Sequence, residues 1–139
     1  MSSVFTKIID GELPGHFVWK DETCVSFLSI NPVSAGHTLV IPILEIDHWL
    51  DLPDEVNAHL MRIAQIVGRA QMMAFSPLRI GMLIAGLEVP HTHLHVIPIQ
   101  GMQDLDLSNA KTVVDHEKLA ANAQMLKESL IHIGHDPGV

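Results

Sequence analysis

The chain has 139 residues, enough for one domain with a closed hydrophobic core. Hydrophobic residues make up 47% and charged residues 17%, the composition of a globular rather than a disordered chain. The formal net charge is −8 and the eight Lys and Arg residues are scattered, which argues against a nucleic-acid partner and against an anionic membrane surface.

The opening "MSSVFTKIIDGELPG" has no long apolar stretch and carries acids early, so it does not read as a secretory signal. Within it "VFTKII" (4–9) predicts a short helix, ended by Gly11 and Pro14. "HFVWKD" (16–21) and "TCVSFLSI" (23–30) read as two strands joined by a tight turn around Asp21 and Glu22. Cys24 is the sole cysteine; it excludes an internal disulfide, reads as a buried thiol, and suits a reducing, cytoplasmic setting. "NPVSAG" (31–36) is turn chemistry and "HTLVIPI" (37–43) a third strand. Pro53, Asp54 and Glu55 open a long helix, with Val56, Leu60, Ile63, Val67 and Ala70 along one face and a stop before Pro77.

"LRIGMLIAG" (78–86) is a fourth strand, and "LEVPHTHLHVIPI" (87–99) a fifth. The longest apolar run, "IGMLIAGL" (80–87), falls well short of the roughly 20 residues a spanning helix needs. An acidic loop follows Gln100. A second long helix then begins near Asp115, with the stripe Leu119, Ala123, Leu126, Leu130 and Ile133 and with Gly134 at its end. Short strands and two interposed helices predict an α+β fold with a largely antiparallel sheet. No strand runs into a glycine-rich phosphate loop, so dinucleotide-binding and Walker-type readings lack support. Residues 1–100 form the expected core, and 101–139 a C-terminal loop and helix packed on the same domain or on a partner.

The fifth segment carries His91, His93 and His95 at alternate positions. In a strand these share one face, with Thr92, Leu94 and Val96 on the other, and the outer pair stand roughly 13 Å apart. Zinc–nitrogen bonds of about 2.0–2.1 Å make it hard for one ion to gather all three, and a fourth ligand is lacking. A half-buried polar face is the plain alternative, but three histidines in register between apolar neighbours fit it poorly. The remaining reading is covalent catalysis: a neutral imidazole can attack phosphorus, and flanking imidazoles can set its tautomer and donate to phosphate oxygens.

These residues resemble the histidine triad (HIT) superfamily, whose signature His-φ-His-φ-His-φ-φ (φ apolar) is matched by "HTHLHVI" except at Thr92. "VFTKIIDGELP", "VSFLSINPVSAGHTLVIP" and "AGLEVPHTHLHVIP" extend the resemblance over most of the first hundred residues. It implies a five-stranded antiparallel sheet with one long central helix and a C-terminal helix, usually paired in a homodimer with a ten-stranded sheet. It also implies cleavage at the α-phosphorus of a nucleotide derivative, a purine nucleoside monophosphate derivative in the usual case, with no cofactor. By position, His93 is the nucleophile that forms a nucleotidyl-histidine, His91 and His95 flank it, and His37 supports the site. Val4, Phe5, Ile8, Phe27 and Ile30 match the pocket around the base, Leu39 its floor, Ser29 the ribose position, and Glu88 a residue found there in many relatives.

Several positions depart from the family pattern. Ser29 stands where an acid binds ribose. In the family's N-x-G-x-x-A-G-Q loop only Ala85 and Gly86 survive, with Ile80, Met82 and Leu87 at the polar or glycine positions. These losses leave a second reading open, a nucleotide-binding regulatory module with little turnover. Some members bind structural zinc through an N-terminal Cys-x-x-Cys; Ser3 and Thr6 stand there, with Glu45 at a further ligand position, so no metal is expected. His48 reads as a surface histidine.

Overall fold

Five strands make one antiparallel sheet in the computed structural model, which describes residues 2–139. They are β1 (Phe17–Lys20), β2 (Cys24–Leu28), β3 (Thr38–Pro42), β4 (Arg79–Leu83) and β5 (Leu94–Ile99). Their spatial order is β1-β2-β3-β5-β4, which leaves β1 and β4 as the edges. Three helices complete the fold: α1 (Val4–Ile9), α2 (Asp54–Phe75) and α3 (His116–His132). The α+β architecture expected from the sequence is the one observed.

Alternation along the strands builds two cores on opposite faces. Val18, Leu28, Val40, Leu94 and Val96 lie under α2 and α3, whose Leu60, Ile63, Val67, Leu126 and Leu130 are buried against them. Val25, Phe27, Leu39 and Ile41 form the other face with Phe5 of α1. The C-terminal helix therefore packs on its own chain, against α2 and β1. Beyond it, Gly134 donates its N–H to Ile131, and the tail returns along β1, where Lys20 N–H donates to the Pro137 carbonyl at 2.8 Å. Gly138 lies so close to the Lys20 carbonyl that no Cβ would fit between them.

The β1–β2 turn is held by Asp21. Its Oδ1 accepts the N–H groups of Thr23 and Cys24, and its Oδ2 accepts the Trp19 indole N–H at 2.8 Å. His59 of α2 contacts the same Oδ2 at 2.7 Å. Burial alone would raise the Asp21 carboxyl, but the hydrogen bonds from Trp19, Cys24, His59 and Thr23 outweigh it and lower it to about 2. Cys24 is fully buried behind this group, and burial pushes its thiol up, so it is an inert part of the core. Asp21, Cys24 and His59 are also the one group among the described residues whose three donor atoms all lie within 4.8 Å of one another, close enough to hold an ion. The carboxylate is committed to closing the turn.

Several boundaries differ from those expected. The long helix starts at Asp54, with Pro53 at its N-cap, and ends where Ser76 turns left-handed before Pro77. More consequentially, β5 starts only at Leu94, so His91 and His93 precede the strand instead of alternating along it. The reason lies in the hydrogen bonds. His91 N–H donates to Val89 and Thr92 N–H to Ile46, so neither is free for a ladder, and the Pro42 carbonyl accepts from the His91 ring. β4 likewise ends at Leu83, leaving residues 84–93 as a loop.

The turn before β3 has a strict requirement. Gly36 has φ +86°, and a Cβ there would overlap the Phe75 ring at the end of α2. Gly36→Ala combines left-handed strain with overpacking, so it should destabilise the fold by about 2–4 kcal/mol, read as a lowered urea midpoint at unchanged m-value.

Candidate active site

All four expected histidines are buried, and they meet on the sheet face that carries α1. His95 stands on β5 opposite Leu39 of β3, while His37 precedes β3 and His91 and His93 precede β5. The rings of His93 and His95 are 5.0 Å apart, and those of His37 and His95 5.2 Å apart, centroid to centroid. Phe5 sits edge-on to His93 at 4.9 Å and to Phe27 at 5.7 Å, joining the histidines to the apolar pocket.

Backbone groups set the protons. The His91 carbonyl can only accept, so the His93 contact at 2.7 Å requires a proton on Nδ1 and leaves Nε2 with a lone pair. Val33 N–H donates to His37 Nδ1, so a neutral His37 carries its proton on Nε2 and donates it to His95 Nδ1 at 2.9 Å. His95 is thereby left with an Nε2–H. His93 Nε2 thus has a bare lone pair and His95 Nε2 a proton to donate, without any lysine or arginine in the arrangement.

Burial keeps these rings neutral. It lowers His37 to about 3, assisted by the charges that His95 and His93 would carry, and lowers His95 to about 4, assisted by His93. His93 is also lowered, by burial first, although its bond to the His91 carbonyl and the charge of exposed Glu88 act in the other direction. For all three rings burial favours the form with a bare nitrogen.

His93 opens onto a cleft of about 330 Å³ lined by Asp47, His48, Trp49, Ile84, Ala85, Gly86, Leu87 and Thr92. Leu87, where the family pattern has glutamine, is 93% exposed at this cleft. Ile80 and Met82, by contrast, line a separate groove beside α2. Among the expected pocket residues, Phe5, Phe27 and Leu39 form one buried cluster with Ile8 packed against it. Val4 is exposed, Ser29 is half-buried, and Ile30 lies exposed on a second cleft with Pro32, Lys111 and Lys118.

Two contributors escaped the sequence reading. Asp47 and Trp49 form a wall of the cleft beside His48, the histidine expected at the surface, and no motif marks that pair. Gln71 of α2 is fully buried and donates to the Gly36 and Val96 carbonyls at 2.9 and 2.8 Å, tying the His37 turn to the His95 strand. Its signal was present: position 71 continues the apolar face one turn beyond Val67.

Comparison with known proteins settles the kinship. The HIT domain model matches residues 10–102. The chain belongs to the HIT family. A HIT-like protein of Borreliella burgdorferi is 38% identical over 102 residues, covering 68% of this chain and 73% of that one. An adenosine 5′-monophosphoramidase of Saccharomyces cerevisiae is 34% identical over 96 residues, covering 68% of this chain and 61% of its own. Among solved structures, a Zn-bound histidine triad family protein from Mycobacterium smegmatis superposes with TM-score 0.81 at 28% identity, over 96% of both chains. This HIT protein thus shares its fold with members across nearly its whole length.

The depressed histidines make a stability prediction. Between the folded values, about 3 for His37 and about 4 for His95, and the ordinary 6.5, the unfolded chain binds more protons. Their contribution is full above 6.5 and is lost as pH falls through that window. The urea midpoint should fall from pH 6.5 to pH 4, and His95→Gln, which cannot take up a proton, should flatten the slope.

Proposed function

We propose that this HIT protein hydrolyses or transfers nucleotidyl groups through a covalent intermediate on His93. The observation that carries the reading is the hydrogen bond from His93 Nδ1 to the His91 carbonyl, which leaves Nε2 unprotonated on a ring that lines an open cleft. In the first step Nε2 attacks the α-phosphorus and the bond to the leaving group breaks, an amine leaving with a proton taken from water and an oxyanion leaving as the anion. The His95 Nε2–H donates to oxygen where negative charge develops, as His37 holds the other face of that ring. Water then attacks phosphorus, the P–Nε2 bond breaks, and a nucleoside monophosphate leaves.

The pocket of Phe5, Ile8, Phe27 and Leu39 offers aromatic edges and apolar surface for a base, and phosphoramidase activity in the yeast relative makes a phosphoramidate the first substrate to test. A purine nucleotide is the class it fits. The second reading, a nucleotide-binding regulator with little turnover, draws on one observation: exposed Leu87 offers the cleft no hydrogen bond. The buried free thiol Cys24 suits a reducing, cytoplasmic setting. Among the described residues no helix is long and apolar enough to cross a membrane.

A homodimer is the proposed assembly. Edge strand β4 and α2 flank a groove of about 480 Å³ lined by Met61, Gly68, Met72, Ile80 and Met82. A second copy pairing β4 to β4 about a twofold axis would extend the sheet to ten strands and cover these side chains.

Mass spectrometry after brief incubation with an adenosine phosphoramidate should show a nucleotidyl adduct that His93→Ala lacks, with turnover lowered at least about a thousandfold. Nucleotide binding without adduct or turnover on several leaving groups would favour the regulator. The acid limb of turnover should have its midpoint below 6.5, because His93 is depressed from that value. Met82→Glu should shift the light-scattering mass from two chains to one; a monomeric wild type would end the dimer proposal.

A further inference from the structure

Four side chains meet where α1 touches the histidine segment, and the chemistry above gives three of them no task. Ser3 is the N-cap of α1 and is buried. Its Oγ accepts the Thr6 N–H at 3.0 Å and lies 2.7 Å from His91 Nδ1. Its backbone N–H donates to Glu45 Oε1 at 2.6 Å, and the Thr6 hydroxyl donates to the same oxygen at 2.7 Å. On the other side of the ring, His91 Nε2 meets the Pro42 carbonyl at 2.7 Å.

The direction of each bond follows from what its partners can do. The Pro42 carbonyl only accepts, so Nε2 carries a proton. In the singly protonated ring Nδ1 is then an acceptor on a residue with no solvent exposure. Two hydroxyls approach it. That of Thr6 is 3.5 Å away and already donates to Glu45, which leaves Ser3 as the donor. The His91 carbonyl in turn fixes His93.

We propose that Ser3 is a positioning residue for the nucleophile. Its hydroxyl holds the His91 ring in one tautomer and orientation, and the His91 carbonyl so placed aims His93. Glu45 secures the serine from behind through its backbone N–H. The clasp occupies the positions at which some HIT proteins bind zinc, and it does not suit that ion. Zinc favours thiolate and imidazole, whereas two of these four groups are hydroxyls. Every polar atom named is already paired within the cluster or to Pro42, so a metal would have to break several short hydrogen bonds. In this chain a hydrogen-bonded knot ties the first helix to the catalytic segment without metal.

The proposal rests on the nucleotidyl-transfer reading for its kinetic effect, but not for its structural one, so the test has two arms. In histidine-¹⁵N-labelled full-length protein, with His91→Gln used for assignment, His91 should be the Nε2–H tautomer. Ser3→Ala should shift its ring nitrogens and those of His93. With adenosine phosphoramidate, Ser3→Ala should lower kcat about tenfold to a hundredfold, leave KM within about twofold, and be rescued by Ser3→Thr. Zinc or a chelator should change neither spectrum nor rate. An Nδ1–H tautomer in the wild type overturns the proposal, whether or not the variant folds. So does a folded Ser3→Ala with wild-type spectra and kcat, or stoichiometric zinc that Ser3→Ala releases. A wild type without turnover sinks the enzymatic reading alone, and the spectra still decide the role of Ser3.

Discussion

A peptide carbonyl has lone pairs and no proton to give, and the candidate site depends on that asymmetry. The His91 carbonyl accepts from His93, the Pro42 carbonyl accepts from His91, and on the far side the Val33 N–H donates to His37. Each backbone contact fixes which nitrogen of a ring is bare. Imidazole alone has two interchangeable tautomers; here the main chain removes the choice. Once those contacts are set, the His37–His95 bond can run in only one direction.

The same constraint explains why His91 and His93 do not sit on a regular strand. A ladder would have used the carbonyls and N–H groups of residues 89–92 for pairing, leaving none to orient side chains. By leaving the sheet before Leu94, the chain frees its main chain for that work. Burial then supplies the electrostatics, since rings removed from water favour their neutral forms and so stay reactive. The arrangement is inexpensive in charge: no lysine or arginine takes part in it, in a chain of net −8.

Much of this was legible in the residues. The apolar runs of "TCVSFLSI" and "HTLVIPI" announced strands, which prove buried along their length, and the Val56–Ala70 stripe announced α2, because those patterns report burial and burial dominates local structure. The convergence of His37 with the other three came from a motif match, as nothing local places residue 37 beside residue 95. Strand geometry failed at His91 and His93, where the histidines come together through turns whose hydrogen bonds run to Pro42 and Ile46, some 45 residues earlier in the chain. Such partners have no sequence period. Ser3 was noticed only for the cysteine it is not, since a buried hydroxyl and an exposed one look alike on paper. Gln71 was hidden for the opposite reason: an amide on an apolar stripe looks like an exception until both carbonyls it bridges are known.

The tail folded back along β1 bears on more than local stability. A sheet with two open edges can add copies at both ends and grow without limit. Here the Pro137 carbonyl takes the Lys20 N–H and Gly138 stands against the Lys20 carbonyl, so one end of that margin is already covered by the chain itself. The other margin is β4, and pairing through it about a twofold axis, as proposed, would use it up. In the proposed dimer the assembly would terminate after two copies, with the tail blunting growth from the outer margin.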